Sequence, residues 1–419
     1  MTKCALLIRK QLTLNNFYKY TEIVLLVETR MLSQKANNKK VLLLTFVPLE
    51  LKGAGTARLA YQLADFLSKK PGIKLEVCTF SQNEERIRTS SWSYITFKGI
   101  PLKFLSDISP KMIQYILKKR KQYDVILIIG TNTTFSIVAL LLKLLKRQIK
   151  IIQIPQLHKD FIFRDPIARF LFELKKWLFI YFVNFRIAQP IVIAFSDQEK
   201  DLIKLFVRNV VKQPLGIDIK RYKELASLID NMKKHIDARK DKLILLHVGD
   251  IHRNKFPMFA LEVMKVLKET LGDRVMLIAV GRIHEGHYKR LREKIRQYDL
   301  EKNICFIGLV SEDRMVEYWS KADIFVLFSA SEAGPFTVLE ALALGIPVVA
   351  TRVGIVPELE RRGMLLAVNF NDINSMVRKI LMLWQNENLR RSLIEKAKKE
   401  ITKYDINYLF EIIYQLIIS

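Results

Sequence analysis

Short apolar runs rich in valine, isoleucine and leucine recur along the chain, separated by segments whose apolar residues return every third or fourth position. Runs of the first kind are typical of strands buried on both faces of a sheet, and the second spacing is typical of amphipathic helices. Their alternation predicts an α/β fold with parallel sheets covered by helices. The predicted strands are Lys40–Val47, Lys74–Phe80, Val125–Ile129, Ile149–Ile154, Ile191–Phe195, Lys242–Val248, Arg274–Val280, Ile304–Ile307, Asp323–Leu327 and Pro347–Ala350.

The strands fall into two sets, which predicts two Rossmann-like domains. The chain has 419 residues, the length of two domains of about 200 residues each. The boundary is placed just after the turn Pro214–Asp218, where a charged connector begins. The predicted organisation is an N-terminal extension over 1–38, a first domain over 39–219, a second domain over 220–404 and a final helix over 405–419.

The stretch Ser329–Leu359 carries two carboxylates, Glu332 and Glu340, around a glycine turn. The pair Gly334-Pro335 ends a buried strand, and Phe336–Leu344 is predicted to form a helix with Pro335 suited to its first position. Free backbone N–H groups and the helix dipole at this start attract an anion such as a diphosphate. The plain alternative is that both glutamates are solvated residues at a helix start; their combination with the glycine turn favours a ligand site.

Two further loops follow predicted strands. The segment His247–Phe256 supplies Arg253 and Lys255, cations that could neutralise a leaving diphosphate unless the loop is simply solvated. The segment Gly53–Thr56 opens a helix, and its glycines permit close approach to a phosphate or a plain strand-to-helix turn. His158 follows the strand Ile149–Ile154; a lone histidine is usually a surface or core residue, and only its place raises the odds of a role.

The order of Glu332, seven intervening residues, Glu340 and then ALALGIPVVAT resembles the signature of the family-four retaining glycosyltransferases, the glycosyl transferases group 1. The resemblance covers roughly residues 40–415 and implies the GT-B architecture, in which two Rossmann-like domains face a cleft. It implies transfer of a sugar, with retention, from a nucleotide-sugar on the second domain to an acceptor hydroxyl on the first. It also implies that the final helix crosses back toward the first domain.

The same resemblance implies roles for residues between 332 and 340. Glu340 would bind the ribose hydroxyls, and Glu332 would contact the donor sugar. After the turn at Gly334, the backbone amides of Phe336 and Thr337 would hold the diphosphate.

The resemblance extends to the other loops. Lys255 matches the family's diphosphate-binding lysine by its spacing from Gly249, whereas Asp250 stands where the family usually has an arginine. Arg253 as the replacement cation is therefore a hypothesis. His158 matches a histidine that faces the donor sugar from the first domain. Gly55 belongs to the glycine-rich loop facing the donor phosphates, although GAGT departs from the commoner paired glycines.

Positive charge is concentrated in the first half of the chain. The net charge is +27; residues 1–220 hold 37 Lys and Arg against 16 Asp and Glu, and residues 221–419 hold 32 against 26. Such a field attracts nucleic acid, anionic lipid or phosphorylated acceptors, or merely keeps the protein soluble. The aromatic segment Ile167–Phe185 fits a buried helix, which is favoured, or a helix in a bilayer interface. The basic segments Lys111–Lys121 and Leu141–Lys150 would suit an anionic leaflet.

The sequence carries no metal-binding motif, and metal-independent transfer is expected, with no cofactor and the nucleotide-sugar as co-substrate. The expected partners are a sugar or lipid-linked acceptor and an anionic membrane surface, with no specific nucleic acid. Widely spaced Cys4, Cys78 and Cys305, the lack of a secretory signal and the lack of a membrane-spanning apolar run predict a cytoplasmic protein. A peripheral position on the inner face of the cell membrane stays open.

Two other functions remain open from the sequence. The same fold could epimerise or hydrolyse a nucleotide-sugar, because a fold does not fix a reaction. The charge could serve a nucleic-acid-binding protein, although no recognised reader motif is present and the paired glutamates would be unexplained.

Overall fold

The computed structural model describes residues 38–46, 55–89, 92–100, 108–145, 148–156, 174, 177–178, 185–234 and 242–419. Within these ranges the chain forms one eight-stranded sheet and one six-stranded sheet, each flanked by helices. The prediction of two Rossmann-like parallel-sheet domains is therefore confirmed.

The first sheet has the strand order β3-β4-β2-β1-β5-β6-β7-β8. Its neighbours pair in parallel, except that β3 runs antiparallel to β4. Every residue of Val125–Ile129 is buried, because helices cover both faces of this central strand. The strands are β1 (Lys39–Thr45), β2 (Ile73–Ser81), β3 (Arg86–Arg88), β4 (Ser93–Lys98), β5 (Val125–Ile129), β6 (Lys150–Ile154), β7 (Ile191–Ala194) and β8 (Val210–Lys212).

The second sheet has the order β11-β10-β9-β12-β13-β14 and is parallel throughout. The chain order reverses between β9 and β12, so the loops after these two strands emerge side by side at the carboxyl edge. Open α/β sheets bind their ligands at such a point. The strands are β9 (Leu243–Val248), β10 (Val275–Val280), β11 (Ile304–Gly308), β12 (Ile324–Leu327), β13 (Val348–Thr351) and β14 (Leu366–Val368).

The helices lie between the strands and pack their apolar faces on the sheets. The described helices are α1 (Gly55–Ser68), α2 (Pro110–Lys119), α3 (Thr133–Leu145), α4 (Asp197–Lys204), α5 (Ile219–Lys234), α6 (Phe259–Leu271), α7 (Glu285–Gln297), α8 (Glu312–Lys321), α9 (Phe336–Ala343), α10 (Val356–Arg361), α11 (Ile373–Gln385), α12 (Glu387–Glu400) and α13 (Ile406–Ile418).

The C-terminal helix α13 packs against α1 and β1 of the first sheet. Phe410 stacks on Phe66 with ring centroids 5.4 Å apart. The segment before α13 pairs with the turn after β8, where Ile217 donates its backbone N–H to the Tyr404 carbonyl over 2.9 Å. A side chain at Gly216 would place its Cβ 2.5 Å from the Ile406 backbone nitrogen, so this glycine is needed for close packing.

The ten predicted strands all occur, with ends that differ from the prediction by no more than two residues. The predictions missed β3, β4, β8 and β14, of which three are three-residue strands. Strands this short carry too few positions for a period to appear. The domain boundaries at 39, 220 and 405 stay predictions, and residues 1–37 lie outside the described ranges.

Candidate functional site

Helix α9 begins at the carboxyl edge of the second sheet, directly after the loop that follows β12. Pro335 is extended and precedes the helix as its N-cap, so it does not occupy the predicted first helical position. It contributes no side-chain cap, which leaves the amides of the first turn, at Phe336 and Thr337, without a capping side chain. The helix buries Leu339 and Leu342, as the spacing predicts.

Glu332 is buried in the loop between β12 and α9. Its Oε1 accepts a hydrogen bond from the Ser329 hydroxyl over 3.0 Å and lies 3.4 Å from Nζ of Lys255. The two loops are also joined through their backbones, since Ala330 N–H donates to the Asn254 carbonyl over 2.6 Å. The structure thus brings together a carboxylate and a lysine that the sequence placed in separate motifs.

The loop after β13 packs against the backbone of the segment that carries Glu332. Gly354, after β13, has φ of +54°, and a Cβ there would lie 2.7 Å from the carbonyl oxygen of Ala333. Thr351 donates its hydroxyl to the Ser329 carbonyl over 2.6 Å. The segments after β9, β12 and β13 are therefore in direct contact with one another beside the Glu332 carboxylate.

Two histidines, His247 and His252, lie close enough to Lys255 to feel its charge. Burial and the nearby Lys255 charge lower the pKa of His252 to about 4. Burial likewise lowers the pKa of His247 to about 4, although its ring bonds to the Val326 carbonyl. Both rings are thus neutral at pH 7. Oδ2 of Asp250 lies 3.8 Å from Nε2 of His284, and Arg253 is exposed.

Glu340 lies one turn inside α9 and is paired across the domain interface. Its Oε1 accepts a hydrogen bond from Nη2 of Arg58 on α1 over 2.5 Å. Burial, the largest single cause, would lower the pKa of Arg58, but the charges of Glu340 and Tyr222 and the hydrogen bond to Glu340 together outweigh burial, and the pKa stands above its ordinary value. Burial, the Glu340 charge and a hydrogen bond to Glu340 raise the pKa of Tyr222 on α5. Glu340 was predicted from the sequence, whereas its partners Arg58 and Tyr222 were not.

Glycines allow the two domains to approach closely at this site. A Cβ at Gly55, the first residue of α1, would lie 3.0 Å from Cδ2 of Phe336. A Cβ at Gly334 would lie 2.9 Å from Cδ2 of Leu215, in the turn after β8. Two glycines chosen for approach to a phosphate thus also lie where the domains touch.

His158 lies outside the described residues. The last described residues before it place Gln156 against the start of α1, where Thr56 donates its hydroxyl to Oε1 of Gln156 over 2.6 Å. Gln156 has φ of +52°, a left-handed conformation uncommon for a residue other than glycine.

The structure brings most of the predicted site residues into two neighbouring groups. Lys255 and Glu332 form one group, and Gly55, Phe336 and Glu340 form the other. Arg253 has no described contact with either group. Among the described residues, no three His, Cys, Asp or Glu side chains cluster closely enough to hold a metal ion.

Residues 229–400 match the family model described as Glycosyl transferases group 1. Sulfoquinovosyl transferase SQD2 of Arabidopsis thaliana is 30% identical over 174 residues, covering 39% of this chain and 31% of that protein. Alpha-monoglucosyldiacylglycerol synthase of Streptococcus pneumoniae is 26% identical over 283 residues, covering 63% of this chain and 60% of that protein. The chain thus spans about one third to three fifths of these relatives.

Solved structures show the same architecture. The Anabaena protein Alr3699/HepE, in complex with UDP and glucose, superposes with a TM-score of 0.70 at 16% identity, covering 91% of this chain and all of that chain (100%). Sucrose-phosphate synthase from Thermosynechococcus elongatus gives 0.68 at 17% identity, covering 90% of this chain and 98% of that one.

Residues 229–400 are thus similar to the glycosyl transferases group 1, and the chain has the GT-B fold. This confirms the fold that the sequence resemblance implied and supports the family. The epimerase or hydrolase and the nucleic-acid-binding protein gain no support from these matches.

Proposed function

We propose that this protein is a glycosyltransferase that moves a sugar from a nucleotide-sugar to an acceptor hydroxyl, with retention at the anomeric carbon. The observation that carries the proposal is the placement of the Glu332–Lys255 pair in the loops before α9 and of Glu340 within the first turns of that helix. Carboxylates accept hydrogen bonds from sugar hydroxyls, and a helix start with a lysine attracts a diphosphate. The family match and the UDP bound by the Anabaena protein support a nucleotide-sugar donor.

Each residue has a proposed task. Glu340 would accept hydrogen bonds from the ribose hydroxyls, and the amides of Phe336 and Thr337 would hold the diphosphate after the turn at Gly334. Glu332, fixed by Ser329, would face the donor sugar.

The reaction breaks the bond between the anomeric carbon and the diphosphate oxygen and forms a bond from that carbon to the acceptor oxygen. The acceptor's proton would pass to the departing diphosphate. Lys255 and the helix dipole would stabilise the charge that develops on the leaving group, because fixed positive charge is most effective where charge appears. This arrangement supports metal-independent transfer. His158 would contact the donor sugar from the first domain, and closing the cleft would exclude water.

We also propose that the acceptor is lipid-linked or otherwise anionic and that the first domain meets an anionic membrane surface on the cytoplasmic side. Leu144 and Leu145, at the end of α3, are 65% and 57% exposed, and Trp177 is 53% exposed. Exposed apolar side chains in the more positively charged half of the chain suit an interface that combines acyl chains with anionic headgroups. None of the helices in the described ranges is both long enough and apolar enough to cross a bilayer.

The basic helix α2 gives this membrane proposal less support than its sequence suggested. Met112 and Ile116 face the core. Lys111 pairs with Glu84 over 2.8 Å and Lys119 pairs with Glu76 over 3.0 Å, so part of its charge is already neutralised.

The donor is tested by thermal unfolding with UDP, GDP, ADP and dTDP and their sugars, since a ligand bound only by the folded protein raises the melting temperature. At least one should stabilise the wild type, and Glu340→Ala should remove most of that shift. Glu395→Ala, at an exposed position on α12, is the matched control and should keep it.

Two results would contradict the proposal. One is an absence of stabilisation by every nucleotide; the other is an unchanged shift in Glu340→Ala. Rapid consumption of the donor without any acceptor would favour a hydrolase or epimerase instead.

A further inference from the structure

The donor-site carboxylate of the second domain is held by a side chain of the first. Arg58 and Glu340 are 282 positions apart in the chain, yet Nη2 of Arg58 lies 2.5 Å from Oε1 of Glu340. The Glu340 side chain is 6% exposed and that of Arg58 is 23% exposed. The guanidinium also lies over the Phe336 ring, with Cζ 4.6 Å from the centroid.

This contact matters because a buried carboxylate needs a fixed partner, and the ion pair with Arg58 holds the Glu340 side chain in one orientation. An ionised carboxylate has about four lone-pair sites, so one hydrogen bond from Arg58 does not saturate it. Arg58 can therefore hold the Glu340 side chain in one orientation while a ligand binds.

The position of Arg58 is fixed by the packing of the start of α1 against the start of α9. It lies on the first turn of α1, whose first residue, Gly55, lies against the Phe336 ring. The planar guanidinium both stacks on this ring and bonds the carboxylate, which a lysine ammonium cannot do with the same geometry.

We propose that Arg58 is a positioning residue of the donor site, supplied by the first domain, which holds Glu340 in the orientation that binds the nucleotide ribose. Donor affinity then depends on the first domain staying in place against α9. The inference rests on the proposed function, because it takes Glu340 to be the ribose-binding carboxylate.

A second ion pair between the domains supplies the matched control. Lys212 on β8 lies 2.7 Å from Oε2 of Glu358 on α10. Lys212→Ala removes an interdomain contact without touching Glu340. It separates a general loosening of the interface from a specific effect on the donor site.

The test measures the dissociation constant of the nucleoside diphosphate that stabilises the wild type most among UDP, GDP, ADP and dTDP. Arg58→Ala should weaken binding about tenfold, Arg58→Lys should restore part of it, and Lys212→Ala should stay within about twofold. In steady state, Arg58→Ala should raise KM for the donor more than it lowers kcat. The double variant R58A/E340Q should bind no worse than E340Q alone, because the two side chains act through one contact.

The inference fails if Arg58→Ala binds the nucleotide as tightly as the wild type or more tightly, or if Lys212→Ala is equally weakened. The failures are distinguishable. If E340Q and Glu340→Ala leave nucleotide binding unchanged, or if no nucleotide binds, the proposed function is wrong, and this inference is wrong with it. If the Glu340 variants weaken binding and Arg58→Ala does not, only the role of Arg58 falls.

Discussion

Lys255 Nζ lies 3.4 Å from Oε1 of Glu332, and this contact joins the loops that follow β9 and β12. The two strands are neighbours in the sheet although 75 or more residues separate them in the chain. The pair defines the place where a sugar and its leaving diphosphate would meet.

Lys255 should be needed for transfer. Lys255→Ala should lower kcat/KM by about a hundredfold or more, because it removes positive charge from the site of the developing diphosphate charge. Steady-state kinetics with saturating acceptor would measure this. Lys265→Ala, at an ordinary cation on α6, is the control and should stay close to the wild type.

Arg253 is tested as the replacement for the family's missing arginine. If it is the second diphosphate cation, Arg253→Ala should impair transfer about as much as Lys255→Ala, in the same assay. An unchanged kcat/KM in Arg253→Ala, together with a large loss of kcat/KM in Lys255→Ala, would reject the idea. In that case Lys255 would be the cation that neutralises the diphosphate, and Arg253 would be an exposed residue with no part in transfer.

Stability should fall in mild acid. The folded pKa of His247 is about 4, below the unfolded value near 6.5, so the unfolded chain binds more protons between these values. The stability that neutral His247 contributes is present above pH 6.5 and is lost as pH falls toward 4. Melting temperatures measured from pH 7.5 to 4.5 should show this decline. His247→Asn should have a flatter profile over this window, with His252 accounting for part of what remains; an identical slope would exclude His247 as a source.

Gly354 should tolerate no side chain. Gly354→Ala should destabilise the protein by about 1–3 kcal/mol, because it combines a left-handed φ with a clash against the Ala333 carbonyl. Urea unfolding would measure the change. Gly363→Ala is the control, since Gly363 has φ of +69° but its nearest neighbour lies 3.8 Å from the added Cβ. Equal losses in the two variants would show that the contact with Ala333 contributes nothing.

Membrane contact is tested by co-sedimentation with vesicles. The wild type should bind anionic phosphatidylglycerol vesicles more than neutral phosphatidylcholine vesicles, and the double change L144E/L145E should reduce that binding severalfold. Leu228→Glu, at a 49% exposed leucine on α5, controls for added negative charge. Unchanged vesicle binding by L144E/L145E would show that the end of α3 does not contact the membrane.

Much of the fold could be predicted because strands and helices of this length carry their own periodicity. The unit formed by β12, α9 and β13 is an example, since its apolar runs, its Gly334-Pro335 break and its two glutamates lie within one short stretch. The glycine at 216 shows the limit. Its place in a turn is visible in the sequence, but the reason for it is the backbone of Ile406, which only the folded chain brings near.

The sequence by itself determined the two parallel sheets, the glycine turns and the carboxylates and lysine at the ends of strands, because each depends on residues close together in the chain. Only the tertiary structure decided which of these residues meet. Arg58 and Tyr222 had no local signal that linked them to Glu340, and Ser329 had none that assigned it to Glu332. Such contacts depend on how helices and loops from distant parts of the chain pack, and no short-range period records that packing.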